Sequence, residues 1–374
     1  MKRVVKSIYA PTRYVFVADR FSNFISVTDI VSGEHVETLD FSMRPHVMEL
    51  ARDDAMLAVG SPEVSAIEFM NLRTRERRRV ELPSPVFQLF FVPQTNLVAV
   101  GLRDQVGMIS YKDFSVRIFP RRFDSDQRQT LINTYYSLLF SSFSQSFWVL
   151  DEDRPFIYHR YGGAEPLDAP WKTIDLSRHI GSGSGLGIGV ASPEDDLLAM
   201  TTDDGSEGLV YFPAQDKVLS TGPMRTVGST NEPMIMPYID AYSKHVIFAD
   251  MEGNVALFDL VNGNGKPERF TVKFSPRFIR TGWLESTWIL AGDKGIMFQS
   301  FKDPSDRKVV RFVPEVMNMW VTGDSKTALY TLDEGAPAIY RFDIRTREQL
   351  PPIRVRGVTM ASMLRMGSNN SICY

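Results

Sequence analysis

The chain has 374 residues, 42 Lys and Arg against 45 Asp and Glu, and 43% hydrophobic residues, an ordinary globular balance that points to neither nucleic acid nor a membrane. Its single cysteine, Cys373, excludes an intramolecular disulfide, a CxxCH haem attachment and thiolate zinc or iron–sulfur sites within one chain. The start, MKRVVKSIYAPTRYVF, is basic without an apolar core of signal length, and no apolar run reaches the roughly 18 residues of a membrane span. A cytoplasmic protein without a transmembrane segment is expected; a periplasmic one whose signal was already removed would read the same way.

Taken in chain order, the predicted elements are strands of one repeating kind. An apolar segment recurs as YVFVADR from Tyr14, MLAVGS from Met56, LVAVGL from Leu97, SFWVLDED from Ser146, LLAMTTDDG from Leu197, HVIFADMEG from His245, WILAGDKG from Trp288 and ALYTLDEG from Ala328. These starts are 42, 41, 49, 51, 48, 43 and 40 residues apart, the period of four-stranded propeller blades. Most copies follow another apolar strand and a polar turn, as in PHVMELARDD, and precede an alternating third strand, a turn and a fourth, as in NVALFDLVNGNGKPERFTV. No long amphipathic helix competes.

Eight units of about 47 residues account for the chain, so the expectation is all-β: an eight-bladed β-propeller of four-stranded antiparallel blades. It forms a single domain over 1–374, its ring closed by pairing of the N- and C-terminal segments. GVTMASMLRMGSNNSICY would lie beside the Tyr14 strand as an innermost strand; VVKSIYAPT is the other candidate for that place, and seven blades with one degenerate repeat is the alternative count.

The stretch GSGSGLGIGVASPEDDLLAM, from Gly181, looks like a phosphate-binding loop but fails the spacing. No register supplies the third glycine of GxGxxG, and the only Gly-Lys pair, Gly265-Lys266, is followed by Pro267. The glycines fit a strand entering the crowded centre of a ring, where side chains are excluded.

The segments MRPHVMELARDDAMLAVGS and IYAPTRYVFVADRFSNFISVTDIVSGEHVETL resemble the YVTN-type repeat of WD40-like bacterial and archaeal propellers. That group includes large non-catalytic subunits of amine dehydrogenases and relatives of haem d1 propellers. The resemblance implies the fold rather than a chemistry, and the Trp-Asp strand ending of true WD40 repeats is absent.

On this plan the turns between second and third strands are acidic: Asp19, Glu63, Asp104, Asp151, Asp203, Asp250, Asp293 and Asp333. The turns between third and fourth strands are largely basic, above all RTRERRR with Arg73, Arg75, Arg77, Arg78 and Arg79. Two readings stay open: solvated turns, or one face for a basic partner or metal and the other for an acidic surface. A nucleic-acid role for the arginines is not expected, since no aromatics are interleaved.

His46, after Arg44 and Pro45, opens an innermost strand. Glu232, Arg277 and Glu315 hold equivalent places, and His179 precedes the glycine stretch. Arg44, His46, His179, Glu232, Arg277 and Glu315 would line a polar funnel able to hold an anionic ligand, or else only cap a water-filled channel. Long loops carry Tyr135, Tyr136, Tyr161 and Trp171, which serve either as partner anchors or as packing between blades.

No catalytic constellation, metal set or cofactor motif is visible. The expectation is therefore a non-enzymatic protein–protein interaction scaffold, a subunit of a larger assembly. Its alternatives are an accessory or large subunit of a periplasmic dehydrogenase complex, or a propeller binding a small ligand or cofactor in its central funnel.

Overall fold

Each second strand is apolar on both sides because it is clamped between two neighbouring sheets. In the first repeat, Val15 and Val17 pack with Leu329 and Ile339 on one side, while Tyr14, Phe16 and Ala18 pack with Leu57 and Val59 on the other. Period-two alternation thus sends alternate residues to opposite neighbours. The structure, a computed structural model, describes residues 13–51, 55–92, 95–103, 105–119, 138–141, 144–162, 166–167, 169–180, 184–192, 197–224, 234–311 and 315–366.

The fold is all-β, with eight four-stranded antiparallel sheets arranged as the blades of a propeller. Blade 1 takes its innermost strand from the far end of the chain, Ala361–Met366, followed outward by Tyr14–Asp19, Phe24–Asp29 and His35–Asp40. Blades 2 to 8 follow in order, with innermost strands Val47–Leu50, Val86–Phe91, Leu138–Ser141, Leu186–Ala191, Tyr238–Ile239, Ser275–Gly282 and Val316–Val321. Leu364 opposite Val17 and Met366 opposite Val15 set the closing register. Pairing of Ala361–Met366 with Tyr14–Asp19 leaves no open edge between the first and last repeats. The described residues form one helix, the single turn Ser177–Ile180.

Among the described residues the core is divided into eight buried clusters, one between each pair of adjacent blades. The innermost strands of blades 1, 3, 5, 7 and 8 carry a register shift near their starts, at Ala361/Met363, Val86/Gln88, Leu186/Gly189, Pro276/Phe278 and Val316/Asn318. A bulge of this kind re-aims the side chains that follow it.

Candidate functional site

Register brings four innermost residues to equivalent positions, each opposite the middle of its second strand: Arg280 opposite Ile289, Trp320 opposite Leu329, Arg365 opposite Phe16 and Glu49 opposite Ala58. They belong to blades 7, 8, 1 and 2, consecutive around the ring, and they touch in sequence. The guanidinium carbon of Arg280 lies 5.4 Å from the centre of the Trp320 ring, and that of Arg365 lies 4.6 Å from it. Arg365 Nε donates to Glu49 Oε1 at 3.1 Å. Burial pushes the Glu49 carboxyl above its ordinary range, against the opposing pull of Arg365 and Arg280. At the same position blades 3, 4 and 5 carry the apolar residues Phe90, Leu139 and Val190, which pack with the clusters between blades 3 and 4, 4 and 5, and 5 and 6.

Arg277 and Glu315, both expected at the funnel, meet at its rim. Arg277 donates to both carboxylate oxygens of Asp293 at 3.0 and 2.9 Å, and its Nη2 is 2.6 Å from Glu315. The Arg277–Glu315 pair thus joins blades 7 and 8, and within blade 8 the Glu315 amide donates to Asp333 Oδ1 at 3.1 Å. On blade 2, Arg44 pairs with Glu63, and the His46 amide donates to the Gly60 carbonyl at 3.0 Å. Desolvation and the neighbouring Arg44 both lower the His46 imidazole below its ordinary value.

Other expected positions lie elsewhere. His179 sits in the short helix with its Nε2 3.7 Å from Asp216, in the outer turn of blade 5, because Ile180 packs into the cluster between blades 4 and 5. It is a rim residue and not part of the funnel. Glu232, Tyr135 and Tyr136 fall outside the described residues.

Trp171 is wholly buried, 0% exposed, which corrects its reading as a partner anchor. Arg160 binds the carbonyls of Pro166 and Ala169 and so folds that loop inward, setting Trp171 against Phe147. Tyr161 is 48% exposed and meets His159 edge-on.

The arginine run is engaged within the chain. Arg75 pairs with Glu37 and Arg77 with Asp40, both on the outer strand of blade 1, while Arg78 pairs with Glu76 and Arg79 with Glu81. Arg73, with Arg75 and Arg77, lines a cleft of about 350 Å³ against Glu37 and Leu39. Three of the acidic turns are likewise engaged within the chain: Asp19 accepts the amides of Thr359 and Met360 at 3.2 and 2.9 Å, Asp151 the Tyr158 hydroxyl at 2.7 Å, and Asp250 the Asn254 amide at 2.8 Å. These carboxylates shape turns and hold the starts of innermost strands. Among the described residues no group of three or more His, Cys, Asp or Glu is placed to hold a metal.

Arg280, Trp320, Arg365 and Glu49 were not singled out by the sequence reading. Continuing the alignment of innermost strands past their starts would have shown charged residues at a position that is apolar in other blades.

No protein-family model matches the chain, and neither does any curated protein sequence. Solved structures match in fold. Dihydro-heme d1 dehydrogenase NirN in complex with DHE aligns with a TM-score of 0.72 and 14% identity, over 95% of this chain and 75% of that one. Apo AztD from Citrobacter koseri aligns at 0.60 and 9%, over 96% and 98%. A functionally unknown protein from Desulfotomaculum acetoxidans aligns at 0.53 and 9%, over 96% and 100%. At these identities the likeness is one of fold. Among the described residues no helix is long and apolar enough to cross a membrane.

Proposed function

We propose that the protein is a binding propeller whose axial site on blades 7, 8, 1 and 2 takes a small anionic ligand with a flat, conjugated body. The observation that carries this reading is the convergence of Arg280 and Arg365 on the indole of Trp320, with the Glu49 carboxylate bonded to Arg365. Guanidinium groups are planar, permanently charged and suited to carboxylate or phosphate, and an indole offers a face on which a conjugated ring stacks.

NirN, which shares the fold, acts by its name on a heme, a flat macrocycle bearing carboxylates, and this agrees with the chemistry proposed here. A haem iron is not supported in the same way. The equivalent axial positions offer no histidine or cysteine, and the Tyr238 hydroxyl is bonded to Thr281 at 2.8 Å. The residues fit a conjugated anion better than a metal macrocycle.

Titration calorimetry with naphthalene-2-carboxylate and naphthalene-2-sulfonate tests the reading. Arg280→Gln and Arg365→Gln are each expected to weaken binding about tenfold or more, since a hydrogen bond to a charged group contributes roughly 1.5–3 kcal/mol. Affinity unchanged in both variants, or no binding to either probe, counts against the site.

A second reading, the non-enzymatic interaction scaffold, is favoured by a different observation. Tyr242 and Leu284 are exposed at the tips of neighbouring turns on blades 6 and 7, which are bonded to each other through the Ala241 amide and Glu285. Apolar side chains on adjoining tips are a feature of contact surfaces. Co-purification of a partner that is lost in a Tyr242→Ser, Leu284→Ser double variant would move the conclusion there.

A further inference from the structure

We infer that Glu49 is a built-in competitor for the axial site: it occupies Arg365 in the empty protein, and an incoming anion displaces it with uptake of one proton from solvent. The inference rests on the axial site proposed above and adds how that site is regulated.

Glu49 and Arg365 come from the innermost strands of different blades, so their contact is made across the axis-facing edge and not within one sheet. Arg365 meets the carboxylate through Nε, while its Nη1 turns back to the Leu364 carbonyl at 3.0 Å. A ligand carboxylate or sulfonate that stacks on Trp320 reaches the same guanidinium and competes for it. Among the described residues, the elements around Glu49 supply little else to steady its charge. The second strand of its blade, Met56–Ser61, and the innermost strand of blade 3, Val86–Phe91, carry no charged residue. From blade 1 the facing charge is Arg365, and from blade 7 it is Arg280.

Once the ligand takes Arg365, the Glu49 carboxylate is left in surroundings that already disfavour its charge, and it protonates. The anion supplies the negative charge that Glu49 gives up, so the net charge of the array is conserved. Binding therefore strengthens as pH falls, approaching tenfold per pH unit where one proton is taken up.

The test uses naphthalene-2-sulfonate, which stays ionised throughout, in calorimetry at pH 5.5 to 8.5 in buffers of different ionisation heat. The wild type is expected to take up close to one proton on binding and to bind more tightly at the lower pH. Glu49→Gln keeps the shape without the charge; it is expected to bind about tenfold more tightly at pH 7.5 and with no proton uptake. Proton uptake in the wild type needs no variant, so the test survives an unstable Glu49→Gln chain. Wild-type binding with no proton uptake, or with unchanged or weaker affinity in Glu49→Gln, overturns the role of Glu49 while the anion site stands. Absence of binding in the wild type overturns both.

Discussion

Gly185 lies so close to the Glu152 carbonyl oxygen that a β-carbon added there would come within 1.7 Å of it. The glycine-rich stretch is thus a packing device: the innermost strand of blade 5 lies against the turn of blade 4, and the Leu186 amide donates to the Asp151 carbonyl at 2.7 Å. Gly185→Ala forces backbone apart and is expected to cost several kcal/mol. Gly335→Ala is the control. No atom lies within 4 Å of its added carbon, and only its φ of +89° is unfavourable, so the expected cost is about 1 kcal/mol. Urea midpoints of the two variants give the comparison; equal midpoints would contradict the packing argument.

Closure through Ala361–Met366 is expected to govern the stability of the whole ring. Leu364 is fully buried between blades 8 and 1, and Leu364→Ala should lose about 2–5 kcal/mol. A chain ending at Met360 leaves Tyr14–Asp19 with an open edge. It should elute from size exclusion as associated or unfolded material, whereas a monomer of wild-type thermal stability would show that closure is dispensable.

Stability should fall on acidification because of His159. This imidazole lies 3.9 Å, centre to centre, from the Trp148 ring, and burial, with a smaller effect of Lys172, pushes it from 6.5 down to about 4. Between those values the unfolded chain binds a proton that the folded chain refuses, so this part of the stability is present above pH 6.5 and lost as pH falls towards 4. The loss is at most roughly 3 kcal/mol. Thermal unfolding of His159→Phe should show a shallower decline than wild type across that window; parallel curves would exclude His159 as the cause.

Arg277 and Glu315 are expected to couple blades 7 and 8. Both are about one-third exposed, which limits the pair to about 0.5–1.5 kcal/mol in a double-mutant cycle of Arg277→Gln and Glu315→Gln. The coupling should shrink in high salt. A coupling indistinguishable from zero at low salt would make the contact incidental to blade docking.

Much of the architecture was legible because its cause is local. Strands clamped on both sides must be apolar on both sides, and turns between them favour Asp and Gly, so MLAVGS and HVIFADMEG mark their blades without any long-range information. Arg277 and Glu315 were legible for the same reason, standing one residue beyond a proline at the start of consecutive innermost strands. Other features were not. Ala55, Gln145, Ser243 and Ser325 all adopt positive φ in the turn before the second strand, a shared backbone geometry with no shared residue type. Trp171 in a long loop reads the same whether it is exposed or buried, and the bonds from Arg160 to loop carbonyls decide the matter.

By itself the sequence determined the strand repeat, its period and the exclusion of an intramolecular disulfide, since each follows from the residue types and their order along the chain. The tertiary structure decided which charges meet. Residues 49, 280, 320 and 365 share one site only because eight sheets close around an axis, and the arginines of RTRERRR turn to Glu37 and Asp40 only because blade 1 lies beside them. A strand's pattern records the environment on its two faces but not the identity of the neighbour, and chemistry at the axis depends on the neighbour.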